Sequence, residues 1–293
     1  MRFMYVYPEM GGTEHDMLDA GPIGEIATTA EAAGFRGFAF TEHPSPGARW
    51  LDNGGHQSLD PVIALSFVAA ATTEMKLLTY LSVMPYRNPL LLAKTTASLD
   101  RLSGGRLILG VGAGYLRGEF KALGVDFEER NVLFDEALDV LPMHWSGDPF
   151  SYKGLHFEAK ECIGRPRPVQ QPIPIWIGGN AKVVRRRVAE RVQGWMPLMI
   201  APEYAATTRS PVLDGLDDLQ IKIEEIRAEA GDRTIDVVYS SAGRDVLEDP
   251  ARTRDEFAEL EARGVTWIMS SKHTRSHADT ARFMEAFGDA FLR

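Results

Sequence analysis

Eight short apolar runs alternate with helix-forming segments along this chain of 293 residues, and that beat excludes most architectures. The runs lie at 3–7, 37–41, 76–81, 106–111, 173–177, 195–198, 235–240 and 265–269. Short, continuously apolar runs of this kind suit strands buried on both faces of a parallel sheet. Between them, 23–33 shows helical spacing through Ile23, Ile26, Ala27 and Ala30, and the last helix carries Phe283, Phe287 and Phe291 at four-residue intervals. A helix that joins two strands of one sheet makes them parallel neighbours with a right-handed crossover. Doubly wound sheets rarely repeat this unit eight times, so the expected fold is α/β, a (β/α)8 TIM barrel.

Local chemistry marks the helix ends. Pro89 suits a first helical position, where a missing N–H costs nothing, and Asn88 is placed to cap. Gly104 can take the left-handed conformation that closes that helix. Asp60–Pro61 and Asp249–Pro250 open two further helices, and Asn180 is expected to cap the helix after the fifth run. The rhythm changes between 145 and 171, where 150–152 and 155–157 flank Lys153 and Gly154 as a small hairpin before a proline-rich linker. That segment is too short to bury its own core, so it reads as an insertion after the fourth helix of one domain spanning 1–293.

A composition of 44% apolar and 25% charged residues supplies ample core. A formal net charge of −9 argues against nucleic acid or an anionic membrane as partner, since both reward basic surfaces. The single cysteine, Cys162, can form no internal disulfide, which suits a reducing cytoplasm. No basic-then-apolar leader precedes the first run, and no apolar run approaches membrane-spanning length. The expected setting is cytoplasmic.

In parallel α/β proteins ligands gather at the carboxyl ends of the strands. The third run ends near Leu81, the fourth breaks into Gly110, Gly112 and Gly114, and the second opens into a long loop rich in Pro, Gly, His and Asn. Long irregular loops in compact domains are usually functional. His43 at the head of that loop could carry a proton near working pH, with Glu42 beside it. Successive strand residues face opposite ways, so both point inward only if the strand has already turned. Trp50 and His56 in the same loop stand either against a substrate or in packing. Arg185, Arg186 and Arg187 spread around a helix axis and read as a solvated surface. No paired histidines end the first strand, where Tyr5-Val6-Tyr7 stands, and no Gly-x-Ser-x-Gly elbow occurs; no metal site is expected.

Several motifs resemble the luciferase-like flavin oxidoreductase superfamily: Thr41-Glu42-His43, Asp60-Pro61, Pro85-Tyr86-Arg87-Asn88-Pro89, Ala93-Lys94, Leu99-Asp100, Leu102-Ser103-Gly104-Gly105-Arg106, Gly110-Val111-Gly112-Ala113-Gly114-Tyr115 and Ile175-Trp176-Ile177-Gly178-Gly179-Asn180. The Leu-Ser-Gly-Gly-Arg run before the glycine-rich strand end is the most specific of them. The likeness is nearest to the branch that uses the deazaflavin coenzyme F-420. It implies a luciferase-like monooxygenase or oxidoreductase with a flavin-type cofactor, the deazaflavin favoured and FMN the alternative, acting on a small-molecule substrate in a homodimer. It places the ring against Ser82, Val83 and Met84, where such proteins often have a cis peptide. Gly112, Ala113 and Gly114 would admit the ring or its ribityl chain, and Gly178, Gly179 and Asn180 would offer N–H groups to a phosphate. His43 and Glu42 then become the expected catalytic residues, and Trp50 and Tyr115 the expected substrate contacts.

Overall fold

The computed structural model describes residues 1–9, 15–200, 205, 208–241 and 245–293. Eight parallel strands close on themselves: β1 (Arg2–Val6), β2 (Gly37–Phe40), β3 (Lys76–Thr79), β4 (Leu107–Gly112), β5 (Ile175–Gly178), β6 (Gly194–Met196), β7 (Asp236–Ser240) and β8 (Trp267–Ser270). The circuit is completed by β1 against β8 (Arg2 opposite Trp267) and β3 against β4 (Leu77 opposite Leu107). A two-residue extension, Ser82–Val83, prolongs the third strand along the upper half of β4, setting Ser82 opposite Val111 and Val83 opposite Gly112. This is the TIM barrel that the eightfold beat predicts.

Alternation along the strands sorts their side chains into two cores. Met4, Val6, Leu78, Ile108, Trp176 and Trp267 are among those that fill the barrel. The opposite faces pack against the helices, where Phe287 meets Phe35 at 4.9 Å and Phe3 at 5.7 Å between ring centroids. The four-residue aromatic stripe of the last helix thus lies against the outside of β1, where each ring buried contributes roughly 1.5–3 kcal/mol.

The connecting helices are α1 (Ile23–Ala33), α2 (Ala48–Asp52), α3 (Pro61–Ala71), α4 (Pro89–Leu102), α5 (Arg117–Ala122), α6 (Arg130–Ser146), α7 (Lys182–Arg191), α8 (Gly215–Ala230), α9 (Pro250–Ala262) and α10 (His277–Phe291). Asp60, Asn88 and Asp249 cap α3, α4 and α9 as expected, each carboxylate or amide oxygen accepting a first-turn N–H. Gly104 follows α4 with φ of 72°. Asn180 departs from expectation. The N-cap of α7 is Ala181, and the Asn180 side chain instead donates to the carbonyls of Leu198 and Pro211 and accepts from the Leu198 N–H.

Two further expectations are corrected. The hairpin after α6 pairs Pro149–Lys153 with Glu158–Ile163, so 155–157 belongs to the turn. Glu136 on α6 holds that turn by accepting the N–H groups of Leu155, His156 and Phe157, an anchor that strand patterning does not reveal. Arg187 is not solvated: its side chain is 3% exposed and bidentate on Asp135 at 2.7 Å, joining α7 to α6. Arg186 does face solvent. Among the described residues, no helix is long and apolar enough to cross a membrane.

Candidate active site

The carboxyl ends of the strands surround a cavity of about 380 Å³, within the range of small-molecule and cofactor sites. A wider depression of about 620 Å³ lies outside the barrel, lined by Gly24, Glu25, Thr28 and His277, and no strand end reaches it.

One wall comes from the loop after β2. Ser58 pins its two ends together: the His43 N–H donates to Ser58 Oγ at 2.7 Å, and Ser58 Oγ donates to the His43 carbonyl at 3.3 Å. The His43 Nδ1 lies 3.2 Å from Glu119 Oε2, a carboxylate whose side chain is only 1% exposed. Glu119 is supplied by α5 and also accepts from the Tyr86 hydroxyl (3.0 Å) and the Ser45 N–H (3.1 Å). With a carboxylate on Nδ1, the ring keeps its proton there and turns Nε2 to the cavity. Trp50 tilts over the same ring at 4.3 Å, and Tyr115 stands edge-on at 6.1 Å. Burial, together with the Glu119 charge, pushes the Tyr115 hydroxyl up to about 12, against a hydrogen bond from Trp50. Tyr86, beside the same carboxylate, is raised further, chiefly by burial. Both phenols therefore stay protonated as donors.

Glu42 is built in differently. Its Oε2 accepts the Val83 N–H at 2.7 Å, and its other oxygen pairs with Arg87, which also binds Asp60 at 2.7 Å. Burial pushes this carboxyl up, while the Arg87 guanidinium pulls it down. Glu42 lines the cavity, yet both oxygens are engaged in fastening the loop after β2 to the end of the third strand.

That strand end forms the floor. Tyr80, Leu81 and Val83 line the cavity, whereas Ser82 and Met84 turn away and are 1% exposed. The Tyr80–Leu81 peptide is cis, one residue before the segment expected to hold such a bond. The glycines serve this floor: a Cβ on Gly112 would meet Leu81 Cδ1 at 2.6 Å, and one on Gly178 would meet Leu81 Cδ2 at 2.3 Å. Gly114, at φ of 77°, has its Cβ direction occupied by Val83 and Phe120. They let one leucine nest between β4 and β5.

The far end of the cavity is cationic. No side chain caps α7; the Val184 N–H closes on the Ala181 carbonyl at 2.9 Å, which leaves the Lys182 and Val183 N–H groups as the orphan donors of a helix start where Ala181, Val183, Arg130 and Arg209 line the cavity. Arg117, Arg130 and Arg209 gather around the Phe127 ring at 4.2, 3.9 and 5.0 Å, a cation–π cluster that holds the two lining guanidiniums in place. The Gly179 and Asn180 N–H groups are already given to the Met196 carbonyl and to Ser210 Oγ, so the open donors lie after the glycine motif rather than within it.

The cavity thus gathers Glu42, His43, Val83, Gly112, Ala113, Gly114, Tyr115, Gly178, Gly179 and Asn180, with Trp50 against His43, and leaves out Ser82 and Met84. Glu119, Tyr80 and Leu81 are not among the residues expected from the sequence. Only Tyr80 and Leu81 left a trace, by their place at the end of the third run.

The model of the family described as luciferase-like monooxygenase matches residues 1–287. An uncharacterised protein of Mycobacterium tuberculosis is 28% identical over 258 residues, covering 83% of this chain and 82% of that relative. The coenzyme F420-dependent tetrahydromethanopterin reductase of Methanopyrus kandleri superposes with a TM-score of 0.71 at 19% identity, covering 99% of this chain and 97% of that one. The oxygenating constituent of 3,6-diketocamphane monooxygenase from Pseudomonas putida, in complex with FMN, gives 0.74 at 16% identity over 100% and 98%. Barrel, strand-end cavity and sequence model agree: the chain belongs to the luciferase-like monooxygenase family.

Proposed function

We propose that this protein is an oxidoreductase that moves a hydride between a bound deazaflavin and a small organic substrate, with His43 handling the compensating proton. The observation that carries this reading is the His43–Glu119 pair, which presents an oriented imidazole to a cavity with an apolar floor and a cationic end. Those residues fit a flavin-type cofactor. Leu81 and Val83 would support a planar ring, and the α7 N-terminus with Arg130 and Arg209 would hold its phosphate. When bound, such a ring supplies the hydride chemistry, while the protein supplies orientation and a dry, shaped pocket. His43 Nε2 takes the substrate's hydroxyl proton in the oxidising direction and returns it in the other. Glu119 stabilises the imidazolium so formed. Glu42 positions the loop through Val83 and Arg87, and Trp50 and Tyr115 bound the substrate's side.

The second reading, an FMN-dependent monooxygenase, is favoured by the family's description and by the FMN-bound neighbour. Fluorescence titration of the purified protein with FMN and with the deazaflavin separates the two, and tight binding of neither overturns both. If the cofactor binds but no alcohol, aldehyde or ketone in a broad panel reduces or reoxidises the deazaflavin, and none is oxygenated when reduced FMN and oxygen are supplied, the protein is a non-catalytic flavin binder. We extend the proposal to a cytoplasmic homodimer in which residues 1–293 act as one unit. Helix α3 has no charged residue, and its Ile63 and Phe67, one turn apart, are 64% and 61% exposed beside Leu91 of α4. A Phe67→Glu variant that sediments as the wild type does would remove the dimer from this reading.

A further inference from the structure

A second imidazole in the cavity is held as His43 is. Glu9, three residues beyond β1, accepts the Thr41 N–H on Oε1 at 3.1 Å and places Oε2 3.2 Å from His56 Nδ1. The carbonyl of Gln57 lies 3.1 Å from that same nitrogen. Both neighbours of Nδ1 are acceptors, so the ring carries its proton there and leaves Nε2 as the exchangeable position. His56 and His43 line one cavity with ring centroids 5.1 Å apart, and Trp50 contacts both. The two rings meet edge to face, at 74° between their planes. The two pairs are graded in depth: His43 and Glu119 side chains are 10% and 1% exposed, His56 and Glu9 26% and 13%.

We propose that Glu9–His56 is a second acid–base pair in series with Glu119–His43, and that it relays the reaction's proton between His43 and solvent. The inference rests on the assignment of His43 above. In the oxidising direction the substrate O–H bond breaks and His43 Nε2 receives the proton. His43 then passes it to His56 Nε2, and the resulting imidazolium, balanced by Glu9, releases it to water. His43 is left neutral with its Nδ1 proton still on Glu119, ready for the next turnover. In the reducing direction each transfer reverses. A purely structural carboxylate at position 9 would be served by backbone donors alone. Burial pushes the Glu9 carboxyl up, while the His56 charge, the hydrogen bonds of Thr41 and the His43 charge pull it down, so both imidazoles act on this carboxylate.

The test is ¹⁵N-edited NMR of the free, histidine-labelled protein, which needs neither substrate nor cofactor. Glu9→Gln is expected to move the His56 Nδ1 proton upfield by replacing a charged acceptor with a neutral one, while leaving His43 unchanged, and Glu119→Gln to do the converse. At a pH where His43 is protonated, its Nε2 proton should exchange with water about tenfold more slowly in His56→Phe, which keeps the wall filled and carries no proton. In His56→Ala, millimolar imidazole should restore the exchange; backbone spectra report whether each variant keeps its fold. An unchanged His56 Nδ1 proton in Glu9→Gln, or unchanged exchange in both His56 variants, overturns the relay. Failure of the functional reading would look different: turnover indifferent to His43→Ala, with these spectra as expected.

Discussion

The two ends of the barrel treat buried charge in opposite ways. At the amino ends of the strands, Arg106 is 9% exposed and gives its guanidinium to the carbonyls of Ser103, Ala69 and Met75 and to the Thr72 hydroxyl. Nearby, Glu31 accepts the N–H groups of Thr73, Glu74 and Met75. These partners are fixed dipoles whose polarity never changes. At the carboxyl ends, Glu119 and Glu9 face imidazoles, side chains that both take and give a proton. The first arrangement holds a connection in place whatever the conditions, and the second can move a proton. Carboxylates therefore serve different purposes according to whether their partners can exchange a proton.

Four substitutions can break that contrast. Arg106→Met, which keeps the stem and removes the head, should cost about 2–4 kcal/mol in chemical denaturation by stranding buried carbonyls. Activity per folded molecule should not change, and a large activity loss would erase the division between the two ends. Glu119→Gln should do the reverse: turnover with the best donor of the panel falls about tenfold, which is about 1.4 kcal/mol, while the denaturation midpoint barely moves. Glu31→Gln should lose about 1 kcal/mol at neutral pH, reduced by its partial exposure. Burial raises the Glu31 carboxyl, but the N–H groups of Glu74, Thr73 and Met75 outweigh it and hold it below its ordinary value. Its stabilisation is thus present above the unfolded carboxyl range and lost as pH falls through the folded one, so variant and wild type should converge once acid has protonated the folded carboxyl. Glu9 shifts the other way: burial raises it, so its contribution is present under acid and lost as pH rises through its folded value. The melting temperature of Glu9→Gln relative to wild type should therefore climb as pH rises through the folded value of Glu9, by the smallest amount of the four. A falling difference would mean that His56 stabilises the ionised carboxylate more than burial opposes it.

The fold was legible because its determinants are local. Alternating apolar runs, the caps at Asp60, Asn88 and Asp249, and the closing Gly104 all act within a few residues of themselves. The errors fell where a distant partner decides. The hairpin's second strand lies later than 155–157 because Glu136 claims that stretch as a turn. Arg187 is buried because α6 brings Asp135 to it, and Asn180 gave up capping to clamp two other loops. Of the site, His43 could be found from its place after β2, but Glu119 stands 76 residues away in a short helix otherwise rich in charge. Nothing in its neighbourhood sets it apart from Arg117 or Lys121, because its role exists only once β2 and β4 are neighbours of β3.

The Ser58 clasp has a consequence for how such a protein can diversify. Because one hydroxyl binds both the amide and the carbonyl of His43, 15 residues earlier, the intervening chain is a closed circuit with a fixed doorway. Lengthening a flexible loop adds only a slowly growing entropic term, about 0.6 kcal/mol for each doubling. The span around Gly47, where a Cβ would meet nothing within 4 Å and φ is −68°, can therefore be rewritten with little strain on the doorway. New substrates can be tried in that circuit while the imidazole at its entrance keeps its bearing.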